Sequence, residues 1–452
     1  MTALRRARQF CTARDTGDRL SELPPLAMAP ATGEPAAAVL VDTGLEFQEF
    51  LGFGGAFTEA ASTTLDQLPS ALRQEVLQAY FSPGQGHGYT LCRTHINSCD
   101  FCLDNYAYTD VEGDVALEHF SIDRDRRSLI PMIRDALRLS DGRLRLFASP
   151  WSPPGWMKTN GQMNGGGKLR PEYRPTWAQY YVRYIREYAR EGIPIWGLTV
   201  QNEPEAAQTW DSCLYTGEEE RDFVRDHLGP ALHDAGLDDV RLIVWDHNRD
   251  RLYERAKIVL DDPRAARFVW GVGFHWYCGD HFDNVQLVHE AYPDKHLVFT
   301  EGCQEGGPHV GAWDTGERYA RNIIADLNRW TEAWVDWNLV LDATGGPNHA
   351  GNLCSAPILV DTTAGAILYQ SAYYAIGHFA RFIRPGARRV GCAKSLDALE
   401  TTAFRNADGT VALVALNRSA QPVEFLLRIG GFQAAADVPA RGIKTFLLEG
   451  PH

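Results

Sequence analysis

Short runs rich in β-branched and aromatic residues alternate along this chain with longer stretches of helical period. The runs with strand character are "FLGFGGAF" (50–57), "YTLCRTHI" (89–96), "LRLFASPW" (144–151), "IWGLTVQNE" (195–203), "RLIVWDHN" (241–248), "VWGVGFHWY" (269–277), "HLVFTEG" (296–302) and "AWVDWNLVL" (333–341). Between them, "PTWAQYYVRYIREYAREG" (175–192) sets Trp177, Tyr180, Tyr181 and Tyr184 at helical spacing and stops at Gly192. "GERYARNIIADLNRW" (316–330) is a second helix of the same kind. A strand followed by a helix, repeated around eight strands, predicts an α/β fold, a (β/α)8 TIM barrel. An open doubly wound sheet competes with it. That alternative is weakened because "GFGGAF" lacks the lysine and the spacing of a phosphate loop.

The texture changes near residue 385. "LDALETTAFRN", "TVALVALNR", "PVEFLLRI" and "IKTFLLE" follow one another without a helical pattern, and "NADG" (406–409) marks a turn. The start of the chain also holds strand-like pieces, "RQFCTA" and "AVLVD", and no clear helix. The predicted organisation is therefore N-terminal strands at 1–45, a catalytic barrel at 46–384, and C-terminal strands at 385–452, with both ends building one attached β-sandwich. Two separate appendages are the alternative.

Composition narrows the possible partners. Of 452 residues, 44% are hydrophobic, enough for a large core, and 12 Trp, 17 Tyr and 20 Phe leave aromatics over for a cleft. The net charge of −14 argues against nucleic acid, which needs a concentrated basic face. The one basic cluster, Arg5, Arg6, Arg8 and Arg14, reads as a solvated end. Nine cysteines are scattered, and Cys99 and Cys102 have no second pair at zinc-site spacing, so buried thiols are expected and no metal. No apolar run suits a signal peptide or a membrane span, which predicts a cytoplasmic protein with reduced thiols. Nothing in the sequence speaks to oligomeric state.

In a barrel of this kind the loops at the C-terminal strand ends converge on one mouth. The predicted strand ends carry Asp100, "SPWSPPGW", Asn202-Glu203-Pro204, His275-Trp276-Tyr277 and Thr300-Glu301-Gly302, with Trp334 and Trp337 on the last strand. Glu203 and Glu301, on strands 4 and 7, then face each other across the mouth. Two carboxylates on an aromatic floor, without a cluster of Lys or Arg, suit glycosidic cleavage. One protonates the leaving oxygen, the other meets the charge developing at the anomeric carbon, and flat rings stack on a sugar face. Taken singly, each residue has a plainer reading: a salt-bridged Glu, a satisfied buried His275, a core Trp. Glu205 and Glu305, just beyond the strand ends, are expected to face solvent.

The stretches "GFGGAFTEAA", "SCDF", "ASPWSPPGWMKTNGQMNGGG", "NEP", "RDFVRDHLGP", "HWY", "DWNLVLDATGGPN" and "LNRS" run in order from about residue 50 to 419. In them the chain resembles glycoside hydrolase family 30, and closely its lysosomal glucosylceramidase (acid β-glucosidase) branch. The resemblance implies a barrel with an attached β-sandwich, retention of anomeric configuration, no cofactor and no metal. It makes Glu203 the acid/base and Glu301 the nucleophile. It gives sugar-binding roles to Asp100, Trp151, Asn202, Trp337 and Asn352, places Arg93 and Tyr277 near the nucleophile, and places His275 near the acid/base.

Two departures concern the entrance. His349 stands where the glucosylceramidase has a Trp, and the loop after strand 4 is shorter and brings its own Trp210. The expected substrate is a β-linked glycoside or oligosaccharide, with glucose as the sugar. The alternatives are β-xylosidase or β-1,6-glucanase activity and, from a different class, a sugar-binding protein without turnover. A retaining mechanism predicts carboxyl groups ~5–5.5 Å apart and an acid/base whose pKa exceeds that of the nucleophile.

Overall fold

A computed structural model describes residues 6–34 and 37–449. Arg5 and the outermost parts of the predicted sandwich segments, 1–5 and 450–452, lie outside them. Each of the eight predicted runs forms one strand of a closed barrel: β1 (Gly52–Phe57), β2 (Leu91–Ile96), β3 (Arg145–Pro150), β4 (Ile195–Thr199), β5 (Arg241–Asn248), β6 (Val269–His275), β7 (His296–Phe299) and β8 (Thr331–Asn338). Every strand pairs in parallel with the next in sequence, and β8 closes on β1 through Ala333 opposite Gly52 and Trp334 opposite Phe53. Strands covered on both faces need continuous rather than alternating hydrophobicity, and β1 and β2 are buried at every position.

Inside the barrel Leu91, Phe147, Val298, Ala333 and Val335 pack against one another. The glycines of "GFGGAF" serve strand packing. A Cβ on Gly54 would lie 1.6 Å from the carbonyl oxygen of Leu91, so only glycine lets β1 approach β2 this closely.

The helix predicted at 175–192 spans Arg174–Arg190 and buries Trp177, Tyr180, Tyr181, Tyr184 and Tyr188. Gly192 ends it with φ +76°, the left-handed stop that favours glycine. The helix predicted at 316–330 spans Trp313–Leu327 and turns Tyr319, Ala320, Ile323 and Ile324 inward.

Strands from both chain ends form one ten-stranded sheet folded into a sandwich. Arg6–Ala13 lies against Gly442–Glu449 along its whole length. The strand Ala38–Glu49 runs past residue 45 and sits between Arg388–Lys394 and Val423–Ile429. An N-terminal strand set between two C-terminal ones makes the two ends one unit. Its core combines Val39 and Val41 with Leu399, Leu413, Phe425, Leu427 and Phe446.

Several elements escape the hydrophobic pattern. Ser21–Ala27 carries Pro24 and Pro25 and survives as a strand because it lies at the sheet edge, where a missing N–H costs no ladder bond. Phe432–Val438 is alanine-rich, and Arg388–Lys394 begins with two arginines. A small sheet of Val340–Asp342, Ile358–Asp361 and Ala366–Tyr369 follows β8. Barrel and sandwich meet through Phe10 on Phe382, ring centroids 4.4 Å apart, and through buried His378, whose ring nitrogens each lie 2.9 Å from a threonine hydroxyl, Thr12 and Thr445.

Candidate active site

Strands β4 and β7 stop earlier than their sequence suggests, at Thr199 and Phe299, so Glu203 and Glu301 stand on the loops just beyond. The backbone fixes them there. Asn202 donates its N–H to Pro150 O (2.9 Å), and Glu203 donates its own to Asp246 O (3.0 Å). Glu203 itself makes the turn, with φ +47°, a left-handed conformation rarely adopted by a residue with a side chain. Thr300 donates to Phe274 O (3.0 Å), which seats Glu301 beside β6.

A carboxylate oxygen of Glu203, one of Glu301 and a ring nitrogen of His275 lie within 4.8 Å of one another. Beneath them is Arg93, fully buried at the centre of the barrel. Its Nε donates to Ser149 Oγ (3.0 Å), Nη1 to Glu301 Oε2 (2.7 Å) and Thr300 O (3.2 Å), and Nη2 to Asn202 Oδ1 (2.9 Å) and Asp246 Oδ2 (2.8 Å). Five bonds exhaust the donors of a guanidinium. The hydroxyl of Tyr277 donates to the other Glu301 oxygen at 3.0 Å. Trp151 and Trp337 stack with centroids 5.1 Å apart, and both rings lie over the Arg93 guanidinium, at 4.8 and 5.6 Å. Asn348 and Asn352 each donate a side-chain amide to Asp100 Oδ2, at 3.1 and 3.0 Å. Arg93, Asp100, Trp151, Asn202, Glu203, His275, Tyr277, Glu301, Trp337 and Asn352 thus gather at one barrel mouth.

The sequence reading missed Asp246. In the sequence it is an interior position of the strand-like run "RLIVWDHN". In the structure a bulge skips it: Trp245 pairs with Gly273 and His247 with Phe274, and Trp245 and Asp246 both have positive φ. The bulge aims the Asp246 carboxylate at Arg93, at Thr199 Oγ1 (2.6 Å) and at His275 Nε2 (3.0 Å). The one available signal was an acid inside an otherwise apolar run. His247, next along, places its Nε2 3.9 Å from Glu203.

Burial disfavours charge on Asp246, but Arg93 and His275 outweigh that and hold it far below the ordinary carboxylate range. Burial alone would lower His275; the negative charge of Glu301 and the bonds to Asp246 and Glu203 instead raise it to about 9. Burial raises Glu203, yet His247 and His275 bring it below its ordinary value. Burial lifts Glu301 above its ordinary value against the pull of His275 and Arg93. This order is the reverse of the one predicted: His247 and His275 together outweigh burial at Glu203, whereas burial prevails at Glu301. Burial also raises Asp100, to about 7, against the two asparagine amides.

Glu205 and Glu305, expected in solvent, are partly exposed and also ion-paired, Glu205 with Arg251 (2.7 Å) and Arg255 (2.9 Å), Glu305 with Arg318 (2.5 Å). Cys99 and Cys102 are buried with their sulfurs 3.8 Å apart and His95 Nε2 3.8 Å from Cys102. That ring nitrogen accepts the N–H of Glu59 (3.2 Å), and Nδ1 meets Asn97 O (2.6 Å), so the lone pair a metal would need is taken.

Two carboxylates this close, over an arginine and beside stacked tryptophans at the C-terminal face of an eight-stranded barrel, define a glycosidase of the retaining kind. The chain belongs to glycosyl hydrolase family 30: the family's TIM-barrel domain matches residues 50–383 and its β-sandwich domain residues 386–446. It is 38% identical to the lysosomal acid glucosylceramidase of Mus musculus over 424 residues, 89% of this chain and 81% of that protein. Among solved structures, SrfJ from Salmonella typhimurium superposes with a TM-score of 0.95 at 38% identity, covering 99% of this chain and all of that one. An endo-β1,6-glucanase superposes with a TM-score of 0.88 at 26% identity, again over 99% of this chain and 100% of that one.

Proposed function

We infer that the enzyme hydrolyses β-glucosides by double displacement, with Glu301 as nucleophile and Glu203 as acid/base. The observation that carries this reading is the approach of the two carboxylates within 4.8 Å. Such a gap leaves no room for the water an inverting enzyme holds between groups ~6.5–9.5 Å apart.

Asp100, Asn202 and Asn352 grip the sugar hydroxyls, and the Trp151–Trp337 pair takes its apolar face. Arg93 and Tyr277 fix the two oxygens of Glu301, so one lone pair points at the anomeric carbon. Glu301 attacks as Glu203 protonates the departing oxygen. Both nitrogens of His275 face carboxylates, so its imidazolium stores a proton at 3.2 Å from Glu203 Oε1. A bound sugar excludes water from Glu203, which raises its pKa and draws that proton across. Glu203, then a base, activates water to release the sugar, and the proton returns.

Similarity to the glucosylceramidase supports glucose linked to ceramide as one substrate. A second reading, cleavage of β-1,6-linked glucose, is favoured by the likeness to the glucanase. Glu301→Gln should abolish turnover with no rescue by azide. Glu203→Ala should spare aryl glycosides with good leaving groups and recover in azide; loss of equal size on every substrate would overturn the acid role. A panel of aryl β-glucoside, aryl β-xyloside, β-1,6-glucan and fluorescent glucosylceramide ranks the sugars and leaving groups.

A further inference from the structure

Beyond Asp100 the cleft meets a built wall. Asp211, on the loop after β4, is 1% exposed. Its Oδ1 accepts Ser98 Oγ (2.5 Å) and Asn105 Nδ2 (2.9 Å) from the loop after β2, and its Oδ2 meets His349 Nε2 (3.1 Å) from the loop after β8. His349 also donates its backbone N–H to Asp100 O (3.1 Å). The hydrogen bond to Asp211 raises the pKa of His349, which favours the ion pair. Three loops from different parts of the rim thus meet at one buried charge, directly behind the carboxylate that grips the sugar.

The loops of the opposite rim are short. Strand β5 passes at once into the turn Arg249–Arg251, and β6 is separated from the helix Phe282–Ala291 by a few residues that include exposed Cys278. This side adjoins Glu203, through His247 and His275. The loops after β2, β3 and β8 are far longer, running to Asp125, Pro171 and beyond Ile358. With Glu203 as the proposed acid, a leaving group would depart on the side of these short loops, which leaves the far end of the sugar toward Asp100 and the wall.

We propose that the Asp211–His349 pair closes the glycon side of the cleft, so that the enzyme removes a single terminal β-linked sugar and does not cut inside a chain. The pair determines specificity without touching the reacting atoms. A second sugar on the non-reducing side would need the space the pair fills, or would have to break a buried ion pair, a cost that a few hydroxyl contacts do not offset. The proposal rests on the assignment of Glu203 and Glu301 given above.

The test compares 4-nitrophenyl β-glucoside with 4-nitrophenyl β-gentiobioside and identifies the first product. The wild-type enzyme should release nitrophenol from the glucoside directly. From the gentiobioside it should release free glucose first and nitrophenol only after a lag. His349→Ala should release intact gentiobiose, with that route rising roughly tenfold or more relative to glucoside hydrolysis. His349→Phe, which keeps the bulk and loses the charge, should stay exo-acting. Immediate release of intact gentiobiose by the wild-type enzyme overturns the proposal, whatever the variants do, and so does a His349→Ala enzyme that cleaves the glucoside with an unchanged product order. A folded wild-type enzyme inert on the glucoside would instead overturn the underlying assignment.

Discussion

His275 joins two carboxylates: its Nδ1 lies 3.2 Å from Glu203 Oε1 and its Nε2 lies 3.0 Å from Asp246 Oδ1. Asp246 is held ionised by Arg93, so the imidazole has one permanent anion behind it and one titrating acid in front. Under the proposed mechanism, the proton needed by the leaving group then waits on the histidine, within one hydrogen bond of Glu203.

The alkaline limb of the pH profile follows from this arrangement. His275 holds its proton up to about 9, so the Glu203–His275 pair keeps one below that value and loses it above. His275→Asn should move the alkaline limb of kcat/KM downward and cut turnover of poor leaving groups by ~10²–10³ while sparing activated aryl glycosides. A variant whose limb stays in place, or whose loss is the same for both substrate types, would contradict the proton store.

With Glu301 as the proposed nucleophile, Arg93 is expected to set the acid limb. It lowers the pKa of Glu301, which burial has already pushed up, and all five of its donors are engaged. Lysine offers three donors and no fork. Arg93→Lys should therefore raise the acid limb, because Glu301 would need a higher pH to ionise. It should also destabilise the fold, since one ammonium group cannot hold Ser149, Thr300, Glu301, Asn202 and Asp246 at once. Equilibrium denaturation measures the second effect and the pH–rate profile the first. An acid limb unchanged in a folded variant would remove Arg93 from the control of Glu301.

The barrel was legible because most positions of its strands are buried, so the strands read as runs rich in β-branched and aromatic residues without a solvent-facing alternation. Glu203 and Glu301 were legible as candidates because a carboxylate at the end of such a run is conspicuous. Asp246 was hidden by a bulge, which changes where a side chain points without changing composition. The two-proline edge strand at 21–27 and the alanine-rich strand at 432–438 are stabilised by neighbours distant in sequence, and no local pattern records that pairing. The Asp211–His349 contact joins positions 138 apart along the chain. Its residues read separately as a loop acid and an unusual entrance histidine.

The joint between barrel and sandwich predicts a sensitivity to acid. His378 lies on the helix Ser371–Ala380, fully buried, between Thr12 and Thr445 of the sandwich. Thr445 gives its hydroxyl proton to His378 O (2.8 Å), so the same oxygen accepts from Nδ1–H, and Thr12 Oγ1 is left to donate to Nε2. The ring is therefore neutral, and burial, with Arg381 nearby, lowers its pKa to about 3. The unfolded chain, with an ordinary value near ~6.5, binds that proton more readily than the folded one. The contribution of His378 to stability is thus complete above about 6.5 and is lost as pH falls toward 3, at up to about 1.4 kcal/mol per pH unit. His378→Gln keeps a neutral donor and acceptor but cannot titrate. Its unfolding free energy should fall less steeply between pH 6 and 4 than that of the wild-type protein, whose other acidic groups are unchanged. Parallel slopes for the two proteins would show that this histidine is not what acid attacks at the joint.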